Sequence, residues 1–236
     1  MKNPLVAGTW IELDEVDSTQ NVASKMLAAG DPVGIVFAHS QTSGRGRFGR
    51  PWISQRGESV TVSLVFHDYA DHPKPHLIGM SVAVAAASAL YAQLRWPNDL
   101  IIAGKKIGGI LTELLPDAQG RRVPVVGLGL NLNQQSFPEE IAEIATSLTL
   151  AHGTHYEAAA VLRLVLSRLQ DLPEPDSWAA LAPIWNVFDK TPGKMYKLAE
   201  GSLAVAVGVG SDGQLLCSVD GESRTVLAAE ALFGTT

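Results

Sequence analysis

Glycine and arginine alternate in one short segment of this chain, and both residue types suit the binding of an anion. Residues 44–50 read GRGRFGR and are followed by Pro51 and Trp52, in a protein whose formal net charge is −6. Glycine permits a positive φ and lets backbone N–H groups approach a ligand closely. Arginine supplies a planar, permanently charged group that pairs with carboxylates and phosphates. The segment therefore predicts a loop that becomes ordered around an anionic ligand. We expect this ligand to carry a phosphate group.

Three further clusters carry residue types that suit ligand binding, although each has an ordinary structural explanation as well. Residues 17–20, DSTQ, stand at a predicted helix start, where such residues are common caps. Residues 95–99, RWPND, form a proline-fixed turn, and the carboxylate of Asp99 suits Mg²⁺ beside phosphates. Residues 104–111, GKKIGGIL, place Lys106 before two glycines inside an apolar strand. Such glycines favour either a small ligand lying on the strand or a plain surface hairpin.

Composition and charge restrict the class of protein. The chain has 236 residues, of which 46% are hydrophobic, enough for a substantial core. Its acidic balance argues against a general nucleic-acid-binding surface. Cys217 is the single cysteine, which excludes an intramolecular disulfide and leads us to expect a reducing cytoplasm. The N-terminal sequence lacks the apolar run of a signal peptide, and the apolar segment 77–94 is rich in alanine, which favours a buried helix over a membrane span.

The hydrophobic periodicity predicts two regions. Strands are expected over residues 10–16, 34–38, 59–66, 100–103, 106–115 and 123–132, and helices over 20–29, 77–94, 156–172 and 178–188. Beyond residue 190, short strands are expected over 195–198, 203–209, 215–219 and 224–227. We therefore expect an α+β fold, with a mixed, largely antiparallel sheet flanked by helices in residues 1–189 and a small β-barrel in residues 190–236.

Taken in order, the four clusters resemble one family, the biotin protein ligases, also called biotin–[acetyl-CoA-carboxylase] ligases. The shared motifs are VDST at 16–19, GRGRxGRxW at 44–52, WPND at 96–99 and KIGGIL at 106–111, followed by GLGLNLN at 127–133. The resemblance covers residues 10–135 by motif and the remainder by architecture. It implies a class II synthetase-like catalytic domain followed by an SH3-like barrel.

The resemblance also implies a two-step reaction. Biotin and MgATP would give biotinyl-5′-AMP and pyrophosphate, and a lysine of a biotin carboxyl carrier protein domain would then attack the mixed anhydride. The acceptor would belong to acetyl-CoA carboxylase or another biotin-dependent carboxylase. Because two anions must meet, such a site needs fixed positive charge and close approach rather than a protein nucleophile. The implied enzyme is a monomer or homodimer that needs neither nucleic acid nor a membrane.

The matching motifs assign roles to individual residues. The implied biotin-binding residues are Ser18, Thr19, Gln20, Gln41, Gly44, Arg45, Gly46, Arg47, Trp52, Lys106, Gly108 and Gly109. The implied residues for ATP and its phosphates are Arg45, Arg47, Arg95, Asn98, Lys106 and Asn131. Lys106 and Arg47 are implied to be catalytic, and Asp99 is the implied magnesium ligand.

Some positions depart from the family pattern. Arg95 replaces the usual lysine before WPND, Gln20 replaces the usual asparagine after DST, and Phe48 takes a loop position that is often basic. The C-terminal region has no obvious Gly-Arg motif. About fifteen residues precede VDST, so we expect the ligase-only class, without the helix-turn-helix DNA-binding domain of some relatives.

Two alternatives remain open at the level of sequence. The first is a lipoate- or octanoate-handling acyltransferase of the same superfamily, although those enzymes lack the GRGRxGR loop. The second is a non-enzymatic nucleic-acid-binding module that uses the arginines of the loop. Arg-Gly segments that bind RNA are usually longer, whereas this one stands between two predicted strands.

Overall fold

A central mixed sheet organises the computed structural model, which describes residues 1–4, 8–228 and 231–233. Its strands are β1 (Thr9–Val16), β2 (Val33–Gln41), β3 (Ser59–Val65), β4 (Gln93–Arg95), β5 (Asp99–Ile102), β6 (Lys105–Pro116) and β7 (Arg122–Asn131). They lie in the order β1-β2-β3-β7-β6-β5-β4. β1 and β2 are parallel, and every other neighbouring pair is antiparallel. The expected mixed, largely antiparallel sheet is confirmed.

Helices cover both faces of this sheet. They are α1 (Thr19–Ala29), α2 (Pro75–Leu90), α3 (Leu148–His152), α4 (Ala158–Gln170) and α5 (Trp178–Phe188). α1 packs on one face against β2 and β3, whereas α2 packs on the other face and is covered by α4 and α5. α2 is buried almost all round, which suits its apolar, alanine-rich sequence. No helix in the described ranges combines the length and the hydrophobicity needed to cross a membrane.

The helix predicted over residues 77–94 is too long at its C-terminal end. α2 ends at Leu90, and Tyr91 takes a left-handed conformation with φ 53°. Residues 93–95 instead form β4, in which Leu94 pairs with Leu100 of β5. The sequence carries no glycine or proline at this helix end, so the apolar run conceals the change from helix to strand. The short helix α3 was not predicted.

The C-terminal region is a second antiparallel sheet. Its strands are β8 (Met195–Leu198), β9 (Leu203–Val209), β10 (Leu215–Val219), β11 (Glu222–Val226) and β12 (Ala231–Phe233), in the order β11-β10-β9-β8-β12. The first three have the predicted bounds, β11 begins and ends earlier than expected, and β12 was not predicted. Among the described residues β11 and β12 are edge strands that do not pair with each other, so we describe a sheet rather than a barrel. A domain boundary near residue 190 stays a prediction.

Candidate active site

A cleft of about 1440 Å³ collects most of the sequence motifs. It is bordered by the start of α1, the loop after β2, the turn before β5, strands β6 and β7, and the segment 134–145. The predicted site residues that line it are Ser18, Thr19, Gln20, Gln41, Arg45, Gly46, Arg47, Trp52, Arg95, Asn98, Asp99, Lys106, Gly109 and Asn131. The four clusters, distant in sequence, therefore share one cleft.

Two predicted glycines do not line the cleft. A side chain at Gly108 would meet Leu130 and the carbonyl of Gly129 within 2.7 Å, so this α-carbon faces packed protein. A side chain at Gly44 would meet the carbonyl of Trp52 at 2.5 Å and Gln41 at 2.7 Å. Both positions need glycine for close packing, and their predicted direct contact with biotin has no support from their placement.

Neutral hydrogen-bonding groups form one end of the cleft. The backbone N–H and the hydroxyl of Thr19 both donate to Gln41 Oε1, at 2.8 and 3.1 Å. Ser63 donates to the Thr19 hydroxyl at 2.8 Å, which orients that hydroxyl. Ser18 occupies the N-cap position of α1 and is 2% exposed, yet its side chain makes no capping hydrogen bond. The DSTQ motif therefore does more than start a helix.

Glu113 of β6 connects the start of α1 to the loop of residues 44–52, which we call the Gly/Arg loop. Its Oε2 accepts hydrogen bonds from Gln20 Nε2 at 2.8 Å and from Arg45 Nη2 at 3.1 Å. Arg45 also donates to Asn21 Oδ1 at 2.6 Å. The guanidinium of Arg45 is thus held by protein groups, and its predicted contact with biotin and phosphate stays a prediction. Sequence reasoning missed Glu113, although an acidic residue within an apolar strand was a usable signal.

The Gly/Arg loop folds back on itself. Gly46 N–H donates to the Arg50 carbonyl and Trp52 N–H donates to the Gly44 carbonyl, both at 2.8 Å. The tip residue, Phe48, has φ 57° and is 53% exposed. Further along the loop the Trp52 indole lies on β7, so close that a Cβ at Gly129 would come within 2.5 Å of the ring. The tryptophan therefore forms a wall of the cleft over a strand that has no side chain at that point.

Positive charge gathers at the other end of the cleft. Asp99 pairs through Oδ1 with Lys106 Nζ at 2.5 Å and through Oδ2 with Arg95 Nη2 at 2.6 Å. Arg47 Nη1 donates to Asn98 Oδ1 at 3.4 Å, and its Nη2 donates to the carbonyl of Ala228. Three cations and one carboxylate leave an excess of positive charge, which suits an anionic ligand.

Protonation in this cluster follows from burial and charge together. Burial opposes ionisation of Asp99, but Lys106 and Arg95 outweigh it and hold the pKa of this carboxyl below its ordinary value. Burial lowers the pKa of the Arg47 guanidinium, and the charge of Asp99 opposes that shift. An ionised Asp99 with its cationic partners therefore holds the cluster together at neutral pH.

The surroundings of Asp99 do not suit a magnesium ligand. Each of its carboxylate oxygens already faces a cation at 2.5–2.6 Å, and a divalent cation there would be repelled by both. In the part of the chain that the structure describes, no group of three His, Cys, Asp or Glu residues is placed to bind a metal. The expected role of Asp99 as a magnesium ligand therefore has no support from this geometry.

An apolar wall that sequence reasoning missed stands beside the cationic end. Phe137, Ile141 and Ile144 line the cleft there, and Ile144 is 45% exposed. Backbone hydrogen bonds fix this segment to β6, because Lys106 N–H donates to the Ile144 carbonyl at 2.8 Å. Asn131 also reaches the segment, donating to the carbonyl of Thr146 at 3.1 Å. The wall offers a planar apolar group a surface next to the cationic end of the cleft.

The fold thus places neutral hydrogen-bonding groups at one end of the cleft and cations at the other. The sequence profile of the biotin/lipoate A/B protein ligase family matches residues 13–133. The chain belongs to this family.

Two of the curated relatives that match are a ligase/repressor and a biotin–[acetyl-CoA-carboxylase] ligase. The chain is 37% identical over 175 residues to the bifunctional ligase/repressor BirA of Bacillus spizizenii, a match that covers 70% of this chain and 54% of that protein. It is 35% identical over 155 residues to the biotin–[acetyl-CoA-carboxylase] ligase of Mycobacterium tuberculosis, covering 59% of this chain and 55% of that protein. The chain thus spans about half the length of these relatives.

A solved structure matches over nearly the whole chain. It is the biotin protein ligase from Aquifex aeolicus in complex with biotin and ATP, with a TM-score of 0.74 and 29% identity. The match covers 97% of this chain and 99% of that one, so the architecture found here, including the C-terminal sheet, is that of a biotin protein ligase.

Proposed function

We propose that the protein activates biotin with ATP to biotinyl-5′-AMP and transfers the biotinyl group to a lysine of a biotin carboxyl carrier protein domain. The observation that carries this proposal is the two-ended cleft, in which neutral hydrogen-bonding groups face a cluster of cations. Biotin has a neutral ureido ring at one end and a carboxylate at the other. The family membership and the ligand pair of the Aquifex aeolicus structure support the same assignment.

The neutral end is proposed to hold the ureido ring. Thr19 and Gln41 are already ordered by hydrogen bonds to each other, so little side-chain freedom is lost when a ligand binds. Ser18 offers a buried hydroxyl beside them. Trp52, whose indole lies close against Gly129, is proposed to cover the apolar part of the ligand.

The cationic end is proposed to carry out adenylation. A biotin carboxylate oxygen attacks the α-phosphorus of ATP, a new C–O–P linkage forms, and the bond to pyrophosphate breaks with its electron pair. Lys106 and Arg47 would offset the charge of the two anions as they approach, which is the main barrier to this step. Magnesium is expected to arrive with ATP as part of the substrate, since Asp99 is already paired with two cations.

The nucleotide is proposed to lie against the apolar wall of Phe137, Ile141 and Ile144. In the second step the amine of the acceptor lysine attacks the carbonyl carbon of the mixed anhydride, and AMP leaves. We expect the acceptor to belong to a biotin-dependent carboxylase in the cytoplasm. Whether the enzyme acts as a monomer or homodimer stays open, as it does at the level of sequence.

The test uses the full chain with MgATP. Pyrophosphate release is first measured with biotin, with lipoate and with no acid. A carrier domain is then added, and the mass of the peptide that contains its acceptor lysine is measured by mass spectrometry. We expect release with biotin only, followed by biotinylation of one lysine. Release with lipoate alone would replace the proposal by the lipoate alternative.

A further inference from the structure

All three hydrogen-bonding groups of Trp96 form hydrogen bonds with residues of the C-terminal region, 191–213. Its backbone N–H donates to Thr191 Oγ1 at 2.8 Å, and its indole Nε1–H donates to the Gly213 carbonyl at 2.9 Å. Its own carbonyl accepts from the Tyr196 hydroxyl at 2.6 Å. The residue is 1% exposed, and its ring packs edge-on against that of Tyr196 with centroids 5.8 Å apart. Three polar groups on three separate segments therefore define where Trp96 lies.

The neighbouring backbone is held in the same way. Lys190 N–H donates to the Leu94 carbonyl at 2.8 Å, and Leu94 pairs with Asp189 as a parallel bridge. Residues 189 and 190 thus extend the central sheet beyond β4. The chain of β4 is fixed on one side by β5 and on the other by the segment that leads into the C-terminal sheet.

In the sequence, Trp96 closely precedes two residues of the cationic end of the cleft, Asn98 and Asp99. Pro97 alone separates it from Asn98, which contacts Arg47, and the next residue is Asp99, which pairs with Arg95 and Lys106. Thr191 and Tyr196 do not line the cleft themselves. Their hydrogen bonds therefore act on a ligand through Trp96.

We propose that Thr191 and Tyr196 are positioning residues for adenylation: by holding Trp96 they fix Asn98 and Asp99, and through them the cations that receive the phosphates. The C-terminal sheet then contributes to catalysis through the hydrogen bonds it makes with Trp96. The kinetic part of this inference rests on the proposed function. Its structural part does not, because the order of residues 93–110 can be measured without any substrate.

The chain offers matched variants for the test. Tyr196→Phe and Thr191→Val each remove one partner of Trp96 with little change of shape, and Thr191→Ser keeps the oxygen and serves as the rescue. Tyr69→Phe is the control, since Tyr69 is also buried and also donates a 2.5 Å hydrogen bond, to Glu174, away from the cleft. For each variant we would measure hydrogen–deuterium exchange of the free protein and its melting temperature. We would also measure biotin affinity and the kinetics of pyrophosphate release.

We expect Tyr196→Phe and Thr191→Val to raise exchange over residues 93–110 and to lower kcat for adenylation about tenfold, because small misplacements of reacting groups are costly. Biotin affinity should stay within about twofold, since the neutral end is untouched. Thr191→Ser should behave as the wild type, and Tyr69→Phe should lower the melting temperature alone.

Two results would overturn the inference. One is unchanged exchange over 93–110 in both Tyr196→Phe and Thr191→Val, and the other is a loss of kcat in Tyr69→Phe as large as in Tyr196→Phe. A wild-type protein that releases no pyrophosphate with biotin would instead contradict the proposed function, and the exchange measurement would still decide whether Trp96 is held as we infer.

Discussion

Lys106 is the residue best placed to receive a second anion. Its ammonium pairs with Asp99 at 2.5 Å, yet a third of its side chain is exposed to the cleft. Gly109 leaves it room, because a Cβ there would come within 3.3 Å of the ammonium. The lysine is therefore held in position by one carboxylate while it still faces the cleft.

Replacement of Lys106 tests its role in adenylation. In Lys106→Ala we expect pyrophosphate release to fall by about 10²–10³, the loss typical of a removed charge-stabilising group. Folding should be retained, because Asp99 keeps Arg95 as its partner. Lys105→Ala is the matched control, since Lys105 binds the Ala142 carbonyl and does not line the cleft. Unchanged release in Lys106→Ala, or an equal loss in Lys105→Ala, would contradict the assignment.

The residues that sequence alone could identify are those whose chemistry is local. Glycine, arginine and the WPND turn restrict the backbone or carry charge wherever they occur, so their clustering was visible in the chain. Glu113 could have been noticed as an acidic residue within an apolar strand, but its partners could not be identified, because they lie on α1 and the Gly/Arg loop. Gly108 was assigned to biotin by its motif; its α-carbon packs against Leu130, and a contact with biotin stays a prediction.

At the scale of elements, β7 and the loop after β2 form one unit. Strand interiors rarely favour glycine, but Gly129 of β7 leaves the space that the Trp52 indole occupies. The contact between Gly129 and Trp52 thus fixes how far the loop after β2 lies from the sheet. This distance determines the width of the cleft.

A methyl group at Gly129 should push the Trp52 indole, and with it the loop after β2, away from β7. In Gly129→Ala the new Cβ would lie 2.5 Å from the Trp52 ring, and we expect biotin affinity to fall at least about tenfold, because overpacking costs about 1–3 kcal/mol. Gly208→Ala in β9 is the control, as a Cβ there meets nothing within 4 Å. Isothermal titration with biotin compares the two variants. Equal affinities would show that the indole does not cover the ligand.

Strands were easier to predict than helix ends. Alternating or continuous apolar residues marked six of the seven central strands, and β3, which is buried along its whole length, is apolar or small at every position but Thr61. Gln93 and Leu94 of β4 were assigned to a helix and Arg95 to the following turn, because three residues show no period and only pairing with β5 makes them a strand. The left-handed turn at Tyr91 that separates α2 from β4 has no glycine to announce it.

At the scale of the whole molecule, the cleft draws on residues from Ser18 to Met195. Strand β2 contributes to it together with β5, β6 and β7, which follow one another much further along the chain. The sequence predicted the layers but not the strand order, because pairing depends on contacts between distant segments. The family resemblance already assigned the motifs to one site, and the strand order shows how the fold brings them together.

The stability of the molecule should depend on the ionisation of Asp99. Its pKa in the folded state is depressed, so its contribution is present above the unfolded value, near pH 4, and is lost as the pH falls through the folded value. We expect Asp99→Asn to be less stable than wild type at pH 7 and to lose less free energy of unfolding on acidification. Urea titrations from pH 7 to pH 3 measure this.

Asp31→Asn, at an exposed carboxylate outside the cluster, is the control for that titration. Its stability should follow the wild-type curve at every pH. If Asp99→Asn lost stability with acid as steeply as the wild type, the acid sensitivity would have to come from other groups, and the buried cluster would not be its source.

The outermost strand of the central sheet also affects how copies of the protein behave in solution. Among the strands that the structure describes, β1 pairs with β2 alone, and such unpaired edges invite strand-to-strand aggregation. Glu12, Asp14 and Glu15 are exposed along β1. Two copies that met edge to edge would bring these carboxylates together, and their repulsion would oppose pairing between the two sheets.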